Sequence, residues 1–549
     1  MGPLDREHEM QHYTPTERFL SLFTALRPGE GSSAVRLCLQ SFVIMFAYYL
    51  LKVIREPLIL ADGSAELKAY STALQAVLLM LIVPMFATAY QRVSSLEEKH
   101  HLFRNTLLFF ISNLALFGIL HAVGISIAIA FYVWLGIFSV MVLALFWAFA
   151  ADLYNLKSGQ RIFPLIAAAS AFGALLGSGT ASDLDLRLGH QGVMGVAAAL
   201  LLIPWWLSRN TEQHIPSGSR SHTLERGSDS PYPLLEGFQL VLRSRYLSLI
   251  ALFVIVLNLI NTNGEYILAT FVTDVAQQQH NDYTGSIDNY ITLFYSQYLF
   301  ITTLLSFLIQ LFLVSRIYER IGIAGALHIL PLLMIANYSV IALFPVLAVV
   351  RLALIAENSI NYSLQTTTRH ALFLPVEREE KYVGKHTIDT FFFRVGDVLS
   401  GSFVYIAGTL IGLGIVGFVT INVALAGVLL VISRAIGRRH TSTAAEKLNN
   451  LAPQVAQSPE DLFIPAGERT EIDLAPDTFV DPDLGDALKY QAFARYSEKL
   501  PAWIKFDTLN RRFQFHPPSS ERGSLRIRVV ERDFDGLEAE LCFTVNYGV

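Results

Sequence analysis

Charged side chains placed inside long apolar runs are the residues of this sequence with chemistry to do. In YYLLKVIREPLIL (48–60), Lys52, Arg55 and Glu56 precede Pro57; in NTNGEYILAT (261–270), Glu265 follows Gly264. A third stretch, AENSINYSLQTTTRHALFLPVEREEKYVGKHTIDTFFFRVGD (356–397), carries Glu357, Arg369, Lys385, His386 and Asp389. An ionised side chain at the centre of a bilayer costs about 2.5–3.5 kcal/mol on insertion scales, so such residues face a bundle interior and find partners or water. Lys52, Arg55 and Glu56 fall within about a third of a helix circumference at 100° per residue. Lys52 and Glu56, four apart, are placed to pair, which leaves Arg55 for an anion. Snorkelling near an interface, with Pro57 ending the helix, is the alternative reading. Glu265 has no basic neighbour in its own run and requires a partner from another helix, either a structural cation or a proton. Lys385 and Asp389 are placed to pair; Arg394 and Asp397, three apart, read as a structural pair, and His386 as an interfacial residue.

The elements that must hold these residues are membrane helices. Hydrophobic residues make up 53% of the 549 and charged ones 16%, against about 25% charged in soluble domains; mean hydropathy is +0.44. Apolar segments near 36–60, 67–91, 103–122, 125–152, 162–181, 190–207, 246–273, 288–314, 323–344, 346–370, 385–411 and 414–435 predict twelve helices, each long enough for the roughly 30 Å hydrocarbon layer. Twenty-three Lys and Arg residues flank one set of loops, whereas Lys68 and Arg187 are the basic residues of the other set. Basic loops stay cytoplasmic on insertion, so both ends of the membrane part are expected in the cytoplasm. No cleavable signal is visible, and TERFLSLFTALRP (16–28) is expected to lie in the interface. Cys38 and Cys542 are expected as free thiols.

The expected organisation is an N-terminal segment (1–35), a first six-helix half (36–207), an inter-half loop (208–244), a second half (245–435), a linker (436–470) and a β domain (471–549). Glu56 lies twenty residues after Arg36 and Glu265 twenty after Arg245. Each half thus opens with a carboxylate beside a helix disturber, Pro57 or Gly264. FGALLGSGT (172–180) in the fifth segment echoes VGDVLSGSF (395–403) in the eleventh. Repeated halves with interrupted helices in matching positions point to a transporter site between them. Ala169, Gly173 and Gly177 read as close helix packing.

YYLLKVIREPLIL, LFWAFAADLYNLKSGQRIFPLIAAASAFG, VLNLINTNGEYILAT and YSLQTTTRHALFLPV…KYVGKHTID resemble the ATP/ADP translocase family. These nucleotide transporters of plastids and intracellular bacteria are related to the major facilitator superfamily. The resemblance covers roughly residues 36–435. It implies an all-α polytopic fold of 12 transmembrane helices in 6+6 pseudo-symmetric halves. It also implies transport roles for Arg55, Glu265 and Lys385, and Arg369 falls on a family Lys. The family's acidic residue in helix 4 falls near the apolar Leu135, and Thr366 and His370 replace its acidic residues around helix 10. A related organic anion, or a nucleotide carried with a proton, is compatible with the basic residues.

FVDPDLGDALKYQAF…LPAWIKFDTLNRRFQF…GSLRIRVVERDFDG is similar to dystroglycan-type cadherin-like domains, small β-sandwiches of the immunoglobulin-like class. That likeness implies a core Trp503, and the alternating runs SLRIRVV and LCFTVNY read as strands. It makes Asp481, Asp483, Asp533 and Asp535 calcium candidates, with an ordinary turn role as the alternative. The expected function is a secondary active transporter of an anionic solute, a nucleotide or other phosphorylated metabolite, working by alternating access. Arg55, Lys385, Arg369 and Lys52 would bind substrate, and Glu265, Glu56, Glu357 and Asp389 would couple transport. The alternative is a non-transporting anchor or receptor whose β domain binds a protein or glycan partner. No cofactor is expected apart from that candidate calcium. Membrane lipid and an anionic small molecule are the expected partners. A Walker loop, a metal-ligand cluster, a catalytic Ser/His/Asp arrangement and a nucleic-acid-binding basic patch are all missing from the sequence, so it is not read as an enzyme or an ATP-driven pump.

Overall fold

The computed structural model describes residues 29–61, 63–92, 96–154, 156–209, 234–282, 286–377 and 380–448. It also describes Thr14, Glu17 and Thr24, and in the C-terminal region residues 454–459, 461–465, 467–475, 478–480, 489–494, 499–508, 510–518, 522–532 and 538–548. These form two compact units, one helical and one β-rich, divided at Arg439 and His440.

The helical unit opens with α1 (Gly31–Leu60), α2 (Ala65–Arg92), α3 (Leu96–Ala122) and α4 (Ala128–Leu153). Next comes α5 (Leu156–Leu207), whose 52 residues would make a rod of about 78 Å if unbroken. Gly189, at φ 68° and ψ 171°, breaks it into the two expected segments, 162–181 and 190–207; only glycine takes that backbone geometry without strain. The second half runs through α6 (Leu234–Arg243), α7 (Arg245–Asp282), α8 (Ile287–Phe312), α9 (Val314–Ala326) and α10 (Ile329–Leu343). Helices α9 and α10 are bent by 78° at the short break between them. α11 (Leu347–Ile360) continues through a π-helical turn, Asn361–Gln365, into α12 (Thr366–Ala371). The eleventh expected segment is a chain of short pieces: a π turn Glu380–Gly384, α13 (Lys385–Thr387), a π turn Ile388–Phe392, α14 (Phe393–Phe403) and a π turn Val404–Leu410. α15 (Ile415–Leu448) closes the unit. Among the described residues nine helices are long and apolar enough to cross a membrane, or ten with the bent pair. The break at Gly189 and the π-interrupted tenth segment supply the remaining two of the expected twelve.

Two sequence expectations are corrected here. Neither Pro57 nor Gly264 interrupts its helix: α1 continues to Leu60 and α7 runs unbroken from Arg245 to Asp282. Pro57 removes one hydrogen bond near a helix end, a small perturbation there, and Gly264 serves packing instead. The stretch 436–470 is not a plain linker either. Its helix-forming AAEKL prolongs α15 to Leu448, and strands begin at Gln454.

The echo between halves is a packing device. A Cβ on Gly173 would collide with the Phe42 carbonyl, and one on Gly177 would sit 2.5 Å from the Phe46 carbonyl, both on α1. Its counterpart Gly396 lies as tightly against Ile255 O and Asn258 on α7, at 2.8 Å. In each half the fifth helix thus lays small residues on the backbone of the first, the close approach such residues permit in lipid. At the start of α1, Glu17 Oε1 accepts from the Gly29 and Gly31 amides at 2.7 and 3.2 Å. Burial works to raise its pKa, but hydrogen bonds from Thr14, Gly31 and Gly29 outweigh it and hold the carboxyl below its ordinary range.

The β-rich unit contains β1 (Gln454–Val455), β2 (Leu462–Ile464), β3 (Thr470–Asp473), β4 (Phe479–Val480), β5 (Lys489–Ala494), β6 (Ile504–Asp507), β7 (Arg512–Phe515), β8 (Gly523–Arg532) and β9 (Glu538–Tyr547). Sheets ordered β2-β9-β8-β5 and β3-β7-β6, with the pair β1-β4, enclose Phe513, Phe515, Ile527, Val529 and Val545. β8 and β9 are the two alternating runs read from the sequence, paired antiparallel from Gly523–Tyr547 to Arg532–Glu538. Trp503 is half-buried rather than central, capping this core with its ring 4.8 Å from that of Tyr547. Cys38 and Cys542 are free. Asp481, Asp483, Asp533 and Asp535 lie outside the described residues.

Candidate substrate site

The short turn between α1 and α2 brings Lys68, in the first turn of α2, back beside the end of α1. Its ammonium lies 2.8 Å from Glu56 Oε2 and 3.8 Å from Glu265 Oε2 on α7. Glu56 is also held by Arg55, whose Nε is 3.0 Å from Oε1. The Arg55 guanidinium lies 4.2 Å from the ring centroid of Tyr132 on α4, whose hydroxyl meets Thr72 Oγ1 at 2.7 Å. Lys68 stands 5.1 Å over Tyr295 of α8. The Glu56 and Lys68 side chains are almost sealed, 3% and 5% exposed, while that of Glu265 is 43% exposed. The cluster therefore has an open side at Glu265.

Lys52 does not pair with Glu56, contrary to the i, i+4 expectation. Glu56 turns to two cations at once, a better exchange for a desolvated carboxylate than one. Lys52, one turn earlier, lies 5.3 Å over Tyr49 and within electrostatic reach of Tyr48 and Tyr362. Among the described residues it has no ion pair. Tyr362, in the π turn after α11, is within electrostatic reach of both Lys52 and Glu265.

The other predicted residues gather elsewhere. Arg369 Nε lies 3.7 Å from Asp389 Oδ1, with His370 and Lys385 close enough to act on each other electrostatically. Lys385 does not pair with Asp389, because the π turn Ile388–Phe392 bonds i to i+5 and removes the i, i+4 alignment. Gly384 packs on Leu247 at the start of α7, and Glu265 lies twenty residues from Arg245, about 30 Å along that helix. The structure thus brings Arg55, Glu56 and Glu265 together and places Arg369, Lys385 and Asp389 in a second group near the start of α7. Glu357 belongs to neither; its Oε1 accepts from the Tyr338 hydroxyl at 3.2 Å, 1% exposed. Arg394 and Asp397 pair at 3.4 Å as expected. Asp397 also accepts from Asn258 and Thr262 of α7 at 2.7 and 2.9 Å.

Contacts between the halves collect at the end where α1 turns into α2. There Tyr266 donates to Glu66 at 3.0 Å and Tyr70 meets Thr409 at 2.9 Å. Thr292 of α8 donates to Asp185 of α5 at 3.1 Å, and Ser296 to the Ser178 carbonyl at 2.6 Å. The cationic cluster sits just inside this closed end.

The TLC ATP/ADP transporter family model matches residues 125–436, more than half of the chain. This chain belongs to that family. The transporter is 25% identical to ADP,ATP carrier protein 1 of Chlamydia trachomatis serovar D, covering 80% of this chain and 92% of that one. Against ADP,ATP carrier protein 1 of Chlamydia pneumoniae the identity is also 25%, over 74% and 90%. Its fold resembles the nucleoside transporter NupG (TM-score 0.52, 14% identity, covering 74% of this chain and 99% of that one). It also resembles a POT family transporter crystallised with 5-aminolevulinic acid (TM-score 0.53, 14%, 75% and 96%). The expected two-half, major-facilitator-type architecture is thus the one present, and the protein is a multi-pass secondary transporter rather than an enzyme. A second family model, describing an Ig domain, matches residues 452–548, the immunoglobulin-like class expected for the β region.

Lys68 is the site residue that the sequence pattern does not single out, since its charge falls among the loops. The signal lies in the spacing: a chain that leaves one helix at Leu60 and enters the next at Ala65 returns Lys68 to the depth of Glu56.

Proposed function

We propose that the transporter carries a nucleotide-type polyanion, a nucleoside di- or triphosphate, between the two halves. The observation that carries this reading is a charge imbalance at one interior site. Lys52, Arg55 and Lys68 face only Glu56 and Glu265 there, with Lys52 lacking a carboxylate among the described residues. A surplus cation in a low-dielectric space attracts an anion strongly, and the surrounding tyrosines offer ring faces and hydroxyls. Lys385 and Arg369, about 30 Å away along α7, act at the mouth, drawing phosphates into the path by long-range attraction. The carrier names of the relatives support the nucleotide class.

In this reading the basic loops face the cytoplasm of a bacterial cell, and the mouth bearing Lys385 opens to that side. Proteoliposomes loaded with ADP test the substrate: labelled ATP and ADP are expected to enter by exchange. Arg55→Gln is expected to reduce entry at least tenfold while Arg209→Gln, on the surface beside Trp205, leaves it unchanged. If no nucleotide or other phosphorylated metabolite binds or moves, the reading fails. The alternative of an anchor or receptor is not favoured by family and fold. A chain lacking 452–549, the whole Ig-type region, is expected to keep its uptake rate; loss of uptake with intact helices would revive the alternative.

A further inference from the structure

Glu357 is a buried carboxyl that the anion path does not use. It sits on α11 at 1% exposure. Oε1 accepts one hydrogen bond, from Tyr338 of α10 at 3.2 Å, with Asn337 beside it. Among the described residues Oε2 has no hydrogen-bond partner. The side chains next to it, among the described residues, are neutral. From α10 come Tyr338 and Asn337; from α8, Tyr298, which accepts from Asn358 Nδ2 at 2.6 Å. From α7 the Ile260 carbonyl, 3.5 Å from the Tyr338 hydroxyl, and Gly264 pack on Tyr338, and Asn422 of α15 reaches the same carbonyl at 3.5 Å. No cation pairs with Glu357 among the described residues. A carboxylate sealed this way, with one neutral donor and no counter-charge, is far costlier than a carboxylic acid with one unsatisfied O–H.

We propose that Glu357 is a proton-binding site whose occupancy is coupled to anion passage. In the conformation seen here Oε2 carries the proton. When the helices part and water reaches Tyr338, the proton leaves and the hydroxyl of Tyr338 steadies the carboxylate. The route to the anion site is short: the Tyr338 hydroxyl packs on Gly264, the residue before Glu265. Protonation of Glu357 therefore sets the position of α7 where Glu265 meets Lys68. This deepens the proposed function and rests on it for the identity of the co-transported anion, but not for the proton site itself.

Infrared spectra of the purified full-length protein at pH 7 test the site without substrate. The wild type is expected to show a protonated-carboxyl band that Glu357→Gln removes, Glu357→Asp shifts, and Tyr338→Phe moves in frequency. In proteoliposomes an inward proton gradient is expected to speed labelled-nucleotide uptake about tenfold, a response that Glu357→Gln abolishes. A band unchanged in all three variants overturns the proton site, as does a Glu357→Gln protein that still responds to the gradient. If the band behaves as expected and no nucleotide moves, the proton site stands and the nucleotide reading falls. Nucleotide exchange with no Glu357 band reverses that outcome: the nucleotide reading stands and the proton site falls.

Discussion

Lys68→Met is expected to be the most damaging single change in the helical unit. It removes the cation between Glu56 and Glu265, leaving the first with Arg55 alone and the second with no cation among the described residues. Breaking a buried pair by deleting one partner costs about 3–5 kcal/mol, against well under 1 kcal/mol for an exposed pair. Lys68 side-chain exposure of 5% puts it in the first class. Uptake should fall at least 100-fold, and the purified protein should unfold at markedly lower temperature in a thermal-shift measurement. Adding Glu265→Gln should recover part of the stability without recovering uptake, because the carboxylate left without a cation is then neutral while the anion site still lacks Lys68. A Lys68→Met protein as stable and active as wild type would show that Glu56 and Arg55 suffice.

The second large effect is expected at Gly264. A Cβ there strikes the hydroxyl of Tyr338 and comes within 3.3 Å of Leu354. Tyr338 is wholly buried, so its ring has nowhere to move. Replacing glycine by alanine in a helix gains about 1 kcal/mol, whereas overpacking a tight core costs about 1–3 kcal/mol. Valine adds bulk with less of the propensity gain, so Gly264→Val should be clearly destabilised, by about 2 kcal/mol, and slow in uptake. Tyr338→Phe, which removes the struck oxygen, should restore part of the stability in the double variant. If Gly264→Val raises the melting temperature, the contact is slack and Gly264 has no packing role.

These two residues show what the sequence conveys and what it does not. Gly264 is conspicuous because glycine stands beside a carboxylate in an apolar run, yet its neighbours in the chain do not disclose its role. Whether a glycine bends a helix or admits a neighbour depends on what packs there, and Tyr338 lies 74 residues away in the chain. Lys68 is equally visible but falls with the loops, because hydropathy blurs helix starts by several residues while the pairing depends on one. The membrane character, the helix segments and the Gly173–Gly396 echo are legible, since each follows from composition or local spacing. The grouping of Arg55 with Glu265, and of Arg369 with Asp389, requires knowing which helices adjoin. The expected pairs Lys52–Glu56 and Lys385–Asp389 fail for local reasons: a competing pair of cations in one case, a wide turn in the other.

Those wide turns have a mechanical consequence. Each π turn holds one residue more than an α-helical turn, so it behaves like a dislocation in a crystal row. It can migrate by exchanging one backbone hydrogen bond at a time, and every residue it passes is rotated by about 100° about the helix axis. Three such dislocations between Glu380 and Leu410 give that segment a way to re-aim Lys385 and Asp389 without melting, while the bundle around it stays folded.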